Sequence, residues 1–120
     1  MRIAVTSTGR EMTDAVDPRF GRARHFIVVD TETGVSEVHD NAQNLSAPQG
    51  AGIQAGETVA RLGVKAVLTG NVGPKAFRVL QAAGIEIYVC GEATVAEAVR
   101  RFTAGELQRA EAASVEAHWA

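Results

Sequence analysis

The stretch from Lys65 to Phe77, KAVLTGNVGPKAF, constrains the fold more than any other part of the chain. Ala66 to Thr69 is short, apolar and β-branched, as a buried strand requires, and it gives way at once to a two-glycine turn and a helical pattern. Gly73 and Pro74 fall where an N-cap and a first helical residue belong, since proline there gives up only an amide hydrogen that the helix cannot use internally. The next amides, at Lys75 and Ala76, are donors without an intrahelical acceptor. Together with the helix dipole and the Lys75 ammonium they favour a bound anion. The stretch predicts half of a ligand site.

A chain of 120 residues with 46% hydrophobic content has the size of one ordinary domain with its own core. The formal charge of −2 argues against a general nucleic-acid or membrane-surface binder, so an anion site must be local. The N-terminus, MRIAVTSTGR, reads as a strand rather than a leader, and apolar runs are short; a cytoplasmic protein is expected. The single cysteine, Cys90, forms no internal disulfide and excludes every C-x-x-C metal site. It reads as a small packed side chain at a strand end. A bound metal cluster must draw most of its ligands from elsewhere.

Arg2 to Thr6 sets Ile3 and Val5 on one face and the small Ala4 and Thr6 on the other, the pattern of a first strand with a helix packed closely against it. Ser7 to Pro18 is a loop beyond that strand's carboxyl end. Arg19 to Arg24, RFGRAR, places three guanidinium groups around Gly21, which lets the backbone turn. Single arginines are ordinarily solvated surface groups; three beside one glycine form a candidate anion clamp. His25 to Asp30 and Val35 to His39 flank TETG, predicting a hairpin of an inner and an edge strand. Asp40 to Gly52 is a long polar loop, with Asn41, Asn44, Gly50 and Gly52, of the kind that borders sites.

A helix is predicted over Ala51 to Leu62, a second from Pro74 to Ala83, a strand with one open edge over Ile85 to Cys90, and a third helix behind the Thr94–Glu97 capping-box spacing. In that last strand Ile85, Ile87 and Val89 form the expected buried face. Glu106 to His118 has the composition of a further alanine-rich helix with a weak stripe, so residues 1–105 form the expected domain and 106–120 a helical extension. The order requires parallel crossovers in the second half and one antiparallel strand in the first. The simplest solution is an α/β fold with a ribonuclease-H-like five-stranded mixed sheet, order 3-2-1-4-5, strand 2 antiparallel, flanked by helices. In such a sheet ligands settle beyond the carboxyl ends of strands 1 and 4, where Ser7 to Arg24 meets Gly70 to Lys75.

The candidate ligand residues are therefore Arg19, Gly21, Arg22, His25, Asn44, Gly70, Asn71, Gly73 and Lys75, with His25 the possible metal ligand. The run GNVGPKA is not a nucleotide phosphate loop, because its spacing is wrong and a proline replaces an amide donor. Asp14, Asp17, Asp30 and Asp40 do not form the acidic set that a ribonuclease-H-type nuclease needs, so no catalytic residue is assigned.

Taken together, VDPRFGRA (16–23), GAGIQ (50–54), LTGNVGPKAF (68–77), AGIEIY (83–88), TVAEA (94–98) and GEL (105–107) resemble the dinitrogenase iron–molybdenum cofactor biosynthesis family over nearly the whole chain. The resemblance implies a stand-alone member, similar to NifX- and NafY-type carriers and to the C-terminal domain of NifB-type proteins. One relative, the orange protein of sulfate reducers, holds a molybdenum–copper sulfide cluster non-covalently. By that resemblance the chain is expected to be a carrier rather than an enzyme. Its cargo would be an iron–sulfur or iron–molybdenum type cluster bound mainly non-covalently, and its partners a cluster donor and an acceptor apoprotein. The family's F-G-R motif falls on Phe20, Gly21 and Arg22, its strand-loop-helix glycines on Gly70 and Gly73, and its glycine-rich loop on Asn44, Gly50 and Gly52. A cluster that brings its own sulfides is an anion, and arginines and backbone amides suit it. A regulatory module that binds a small anionic metabolite in the same place is the alternative.

Overall fold

The structure, a computed structural model, describes residues 1–41 and 50–113. Its central strand is β1 (Arg2–Ser7), whose side chains are buried on both faces from Ile3 onward. Antiparallel to it runs β2 (His25–Asp30), with Val5 opposite Ile27, and β2 pairs in turn with β3 (Ser36–Asp40). On the other side β1 pairs in parallel with β4 (Ala66–Thr69), and β4 with β5 (Glu86–Val89). The crossovers are α1 (Ala51–Arg61) and α2 (Pro74–Ala82); α3 (Val95–Thr103) follows β5. A two-residue strand, β6 (Gln108–Arg109), completes the sheet in the order β3-β2-β1-β4-β5-β6.

The two-residue period of the strands divides the core. Ala4, Phe26, Val28 and Val67 face α1 and α2, meeting Ala55, Val59, Ala76 and Leu80. Ile3, Val5, Ile27 and Leu68 face α3, meeting Val95 and Ala98. A sheet covered on both faces explains why β2 and β4 read as continuous apolar runs rather than alternating ones. Each fully buried branched side chain, such as Ile3, Ile27 or Leu68, contributes roughly 1.5–3 kcal/mol through the apolar surface it removes from water. The helices on the first face sit close together: a Cβ on Gly56 of α1 would lie 2.8 Å from a Val79 methyl on α2.

The ribonuclease-H-like arrangement is thus present, with three differences from expectation. The sheet has six strands rather than five. The predicted helix from Glu106 is absent over 106–113, where β6 pairs antiparallel with β5 and the Ala110 amide donates to the Ile87 carbonyl at 2.7 Å. A weakly striped alanine segment gains little as a lone helix, whereas the β5 edge offers unpaired backbone groups and a place for Leu107 and Ala110 to pack. Finally, Val89 is exposed rather than on the expected buried face, because β5 ends there, while Cys90 just beyond it is packed, as read from the sequence. Residues 114–120, with His118, lie outside the described part. Among the described residues no helix is long and apolar enough to cross a membrane.

Candidate functional site

Beyond the carboxyl ends of β1 and β4 the chain lays a strap, residues 15–20, across the sheet edge. Its first half bridges to the α3 side, with Ala15 opposite Thr94 and the Val16 amide donating to the Ala93 carbonyl at 2.9 Å. Its middle is anchored to the sheet itself. The Asp17 amide donates to the Thr6 carbonyl (2.9 Å), and the Thr6 hydroxyl donates to the Asp17 carbonyl (2.8 Å) while sharing a second bond with the Thr69 hydroxyl (2.8 Å). Thr6 and Thr69 are fully buried, so these hydroxyls need the partners they have. The strap's second half crosses to the α2 side, where the Phe20 amide donates to the Asn71 carbonyl at 3.1 Å and Arg19 bridges in parallel to Asn71. The two segments singled out from the sequence therefore touch.

Gly70 fits this crossing for a steric reason: a Cβ there would lie 2.6 Å from the Pro18 Cα and 2.7 Å from its carbonyl oxygen. The Asn71 side-chain amide donates to the same carbonyl at 3.2 Å, which makes Asn71 a fastener of the strap. Past the strap, Phe20 and Ala23 are buried while Arg19, Arg22 and Arg24 are exposed. Phe20 packs on Phe26 with ring centroids 5.9 Å apart. Gly21 is buried and its φ is not in the left-handed region, so the turn there does not depend on glycine's conformational freedom. What shapes the loop is Asn41. Its side-chain amide donates to the carbonyls of Gly21 (3.2 Å) and Ala23 (2.8 Å), and its backbone amide donates to that of Arg24 (3.0 Å).

Lys75 is exposed at the second position of α2, behind Gly73 as N-cap and Pro74, and among the described residues no side chain caps that helix. His25 is engaged with β3: its Nδ1 bonds Asp40 Oδ1 at 2.8 Å, and the same oxygen accepts from Arg10 at 2.9 Å. Among the described residues no three His, Cys, Asp or Glu side chains gather to hold a metal ion. Asn44 lies outside the described residues.

On the α3 side of the strap opens a cavity of about 880 Å³, walled by Val16, Pro18, Val89, Ala93 and Thr94, with Gly70 and Asn71 at the strap. Cys90 borders it, buried, its thiol 3.5 Å from the Thr69 carbonyl. Burial pushes that thiol up from its ordinary value, against the opposing pull of Arg101, so it stays protonated at neutral pH. Of the candidates among the described residues, Gly70 and Asn71 line this cavity; Arg19, Gly21, Arg22, His25, Gly73 and Lys75 do not.

A family model described as dinitrogenase iron-molybdenum cofactor matches residues 1–105. The chain belongs to that family. Among solved structures, the apo form of the orange protein from Desulfovibrio gigas is 46% identical and superposes with a TM-score of 0.90, covering 95% of this chain and 96% of that one. TM1290 from Thermotoga, a candidate NifB protein, is 34% identical with a TM-score of 0.76 over 90% of this chain and 91% of its own. The uncharacterized protein MJ0580 of Methanocaldococcus jannaschii is 30% identical over 98 residues, covering 80% of this chain and 83% of its own. For a member of the iron-molybdenum cofactor family, sequence reasoning named Asn41 in the long polar loop but not its partners as the clamp of the arginine loop, and it missed Gly91 to Thr94, which wall the cavity. The latter had a signal: the loop after β5 leaves the sheet at the same carboxyl edge as β1 and β4.

Proposed function

We propose that this protein binds an anionic metal–sulfur cluster and carries it to an acceptor protein, without performing chemistry on it. The iron–molybdenum cofactor, its precursor and related iron or molybdenum sulfides are the cargo class. The observation that carries the reading is the contact between strap and turn, Phe20 to Asn71, which brings the segment bearing Arg19 and Arg22 against the segment that leads into the uncapped start of α2. Guanidinium groups and backbone amides are the donors that a cluster already furnished with sulfide requires. The exposed setting of Arg19, Arg22 and Lys75 suits a cargo that must be released as well as held. The family and the resemblance to the orange protein support the same reading.

Anaerobic incubation with tetrathiomolybdate, followed by gel filtration and metal analysis, tests it. Capture by the intact protein is expected, with affinity about tenfold lower in the Arg22→Ala, Lys75→Ala double variant, on the scale of two weakened charge-assisted contacts. Both side chains are exposed, so circular dichroism and thermal midpoint should be unchanged. Capture that is undiminished in the double variant overturns the assignment of the site, and no capture at all by the intact protein favours a small anionic metabolite instead.

A further inference from the structure

The cavity on the α3 side is chemically unlike the arginine loop across the strap. A helix start ordinarily attracts anions through its first free amides, but at α3 each of these already has an acceptor. The Val95 amide donates to the Asp14 carbonyl (2.9 Å), that of Ala96 to Met12 (2.9 Å), and that of Glu97 to the Thr94 hydroxyl (3.1 Å). Among the described residues no lysine or arginine lines the cavity, whereas Glu92 and Glu97 do. Glu97 is partly neutralised, by Arg101 at 3.7 Å and by its bond from the Thr94 amide. Glu92 has neither; among the described residues no cation pairs with it. The space is thus apolar in its walls, Val16, Val89 and Ala93, and negative at Glu92.

We propose that this cavity is a second binding site, for a small organic cation with an apolar body: an alkylammonium or alkylguanidinium whose hydrocarbon lies along those walls and whose charged head meets Glu92. An anionic cluster is disfavoured here by the same carboxylates, so the strap separates two sites of opposite preference. The site is independent of the cluster reading, and its test uses the protein without any cluster.

Hexylamine, hexanol and hexanoate share one body and differ in head charge at pH 7. Titrated into the ¹⁵N-labelled protein, hexylamine is expected to shift the amides of Ala15, Gly91 and Thr94 saturably, binding about fivefold or more tighter than hexanoate, with hexanol between them. Glu92→Gln, an exposed change, should remove that preference while keeping the fold. Gly91→Leu, which adds bulk to the cavity's lining where a Cβ meets nothing within 4 Å and φ is ordinary, should weaken the shifts without straining the fold. Equal or tighter binding of hexanoate, an unaltered preference in Glu92→Gln, or no saturable shift with hexylamine overturns the proposal.

Discussion

At the scale of single residues, Gly70 shows how a glycine can be required by proximity rather than by dihedral angle. Its φ is not in the left-handed region, yet the atoms a Cβ would strike are the backbone of Pro18, which cannot rotate aside as a side chain could. Gly70→Ala must therefore lift the strap or shift β4. A loss of about 1–3 kcal/mol is expected, the usual range for forcing one carbon into a filled space. Urea denaturation measures it, with Gly91→Ala, which adds its methyl to open space, as the neutral comparison. Equal midpoints for the two variants would mean that the strap rests on the sheet less firmly than the contact implies. Asn41 makes the complementary point: buried, with its amide occupied by the carbonyls of the arginine loop, it serves the loop's shape rather than donating to a bound anion.

At the scale of elements, α3 owes its start to the reciprocal Thr94–Glu97 box, in which each residue accepts from the other's backbone amide. Bonds from the Thr94 amide and then its hydroxyl hold the Glu97 carboxyl below its ordinary value of 4.5. A carboxyl depressed in the folded state contributes stability above the unfolded value, and that contribution disappears as pH falls through the folded one. Wild type should therefore exceed Glu97→Gln in denaturation midpoint at pH 7, with the gap closing between about pH 5 and pH 3. A gap that persists at pH 3 would assign the effect to packing instead. This box was legible in the sequence, as were β2, β4 and the start of α2, because capping residues, proline and apolar runs act locally. β6 was not, since Gln108 and Arg109 carry no apolar pattern and are held by what the β5 edge lacks. For the candidate site, the convergence of the arginine loop with the Gly70 turn followed from strand order alone. The pairing of His25 with Asp40 depends on the register between β2 and β3, which their composition left open.

At the scale of the whole molecule, the strap is the part that both faces share. One end is bonded to the α3 side through Val16 and Ala93, the other to the α2 side through Phe20 and Asn71, and the middle to the central strand pair through Thr6 and Thr69. If these bonds form one cooperative unit, weakening the middle must loosen both ends. Thr6→Val keeps the shape but leaves the Thr69 hydroxyl and the Asp17 carbonyl short of a partner, at a cost of about 1–3 kcal/mol. Adding Thr69→Val should cost less than a second full penalty, because the unpaired hydroxyl goes with it. Hydrogen exchange then distinguishes a unit from a set of separate contacts. In Thr6→Val the amides of Val16, Asp17 and Phe20 should exchange faster together, while the Asp30 amide, bonded to the Val35 carbonyl in the distant hairpin, keeps its protection. Acceleration confined to Asp17 would show that the two sides of the sheet edge open separately, and that occupancy of one has no mechanical route to the other.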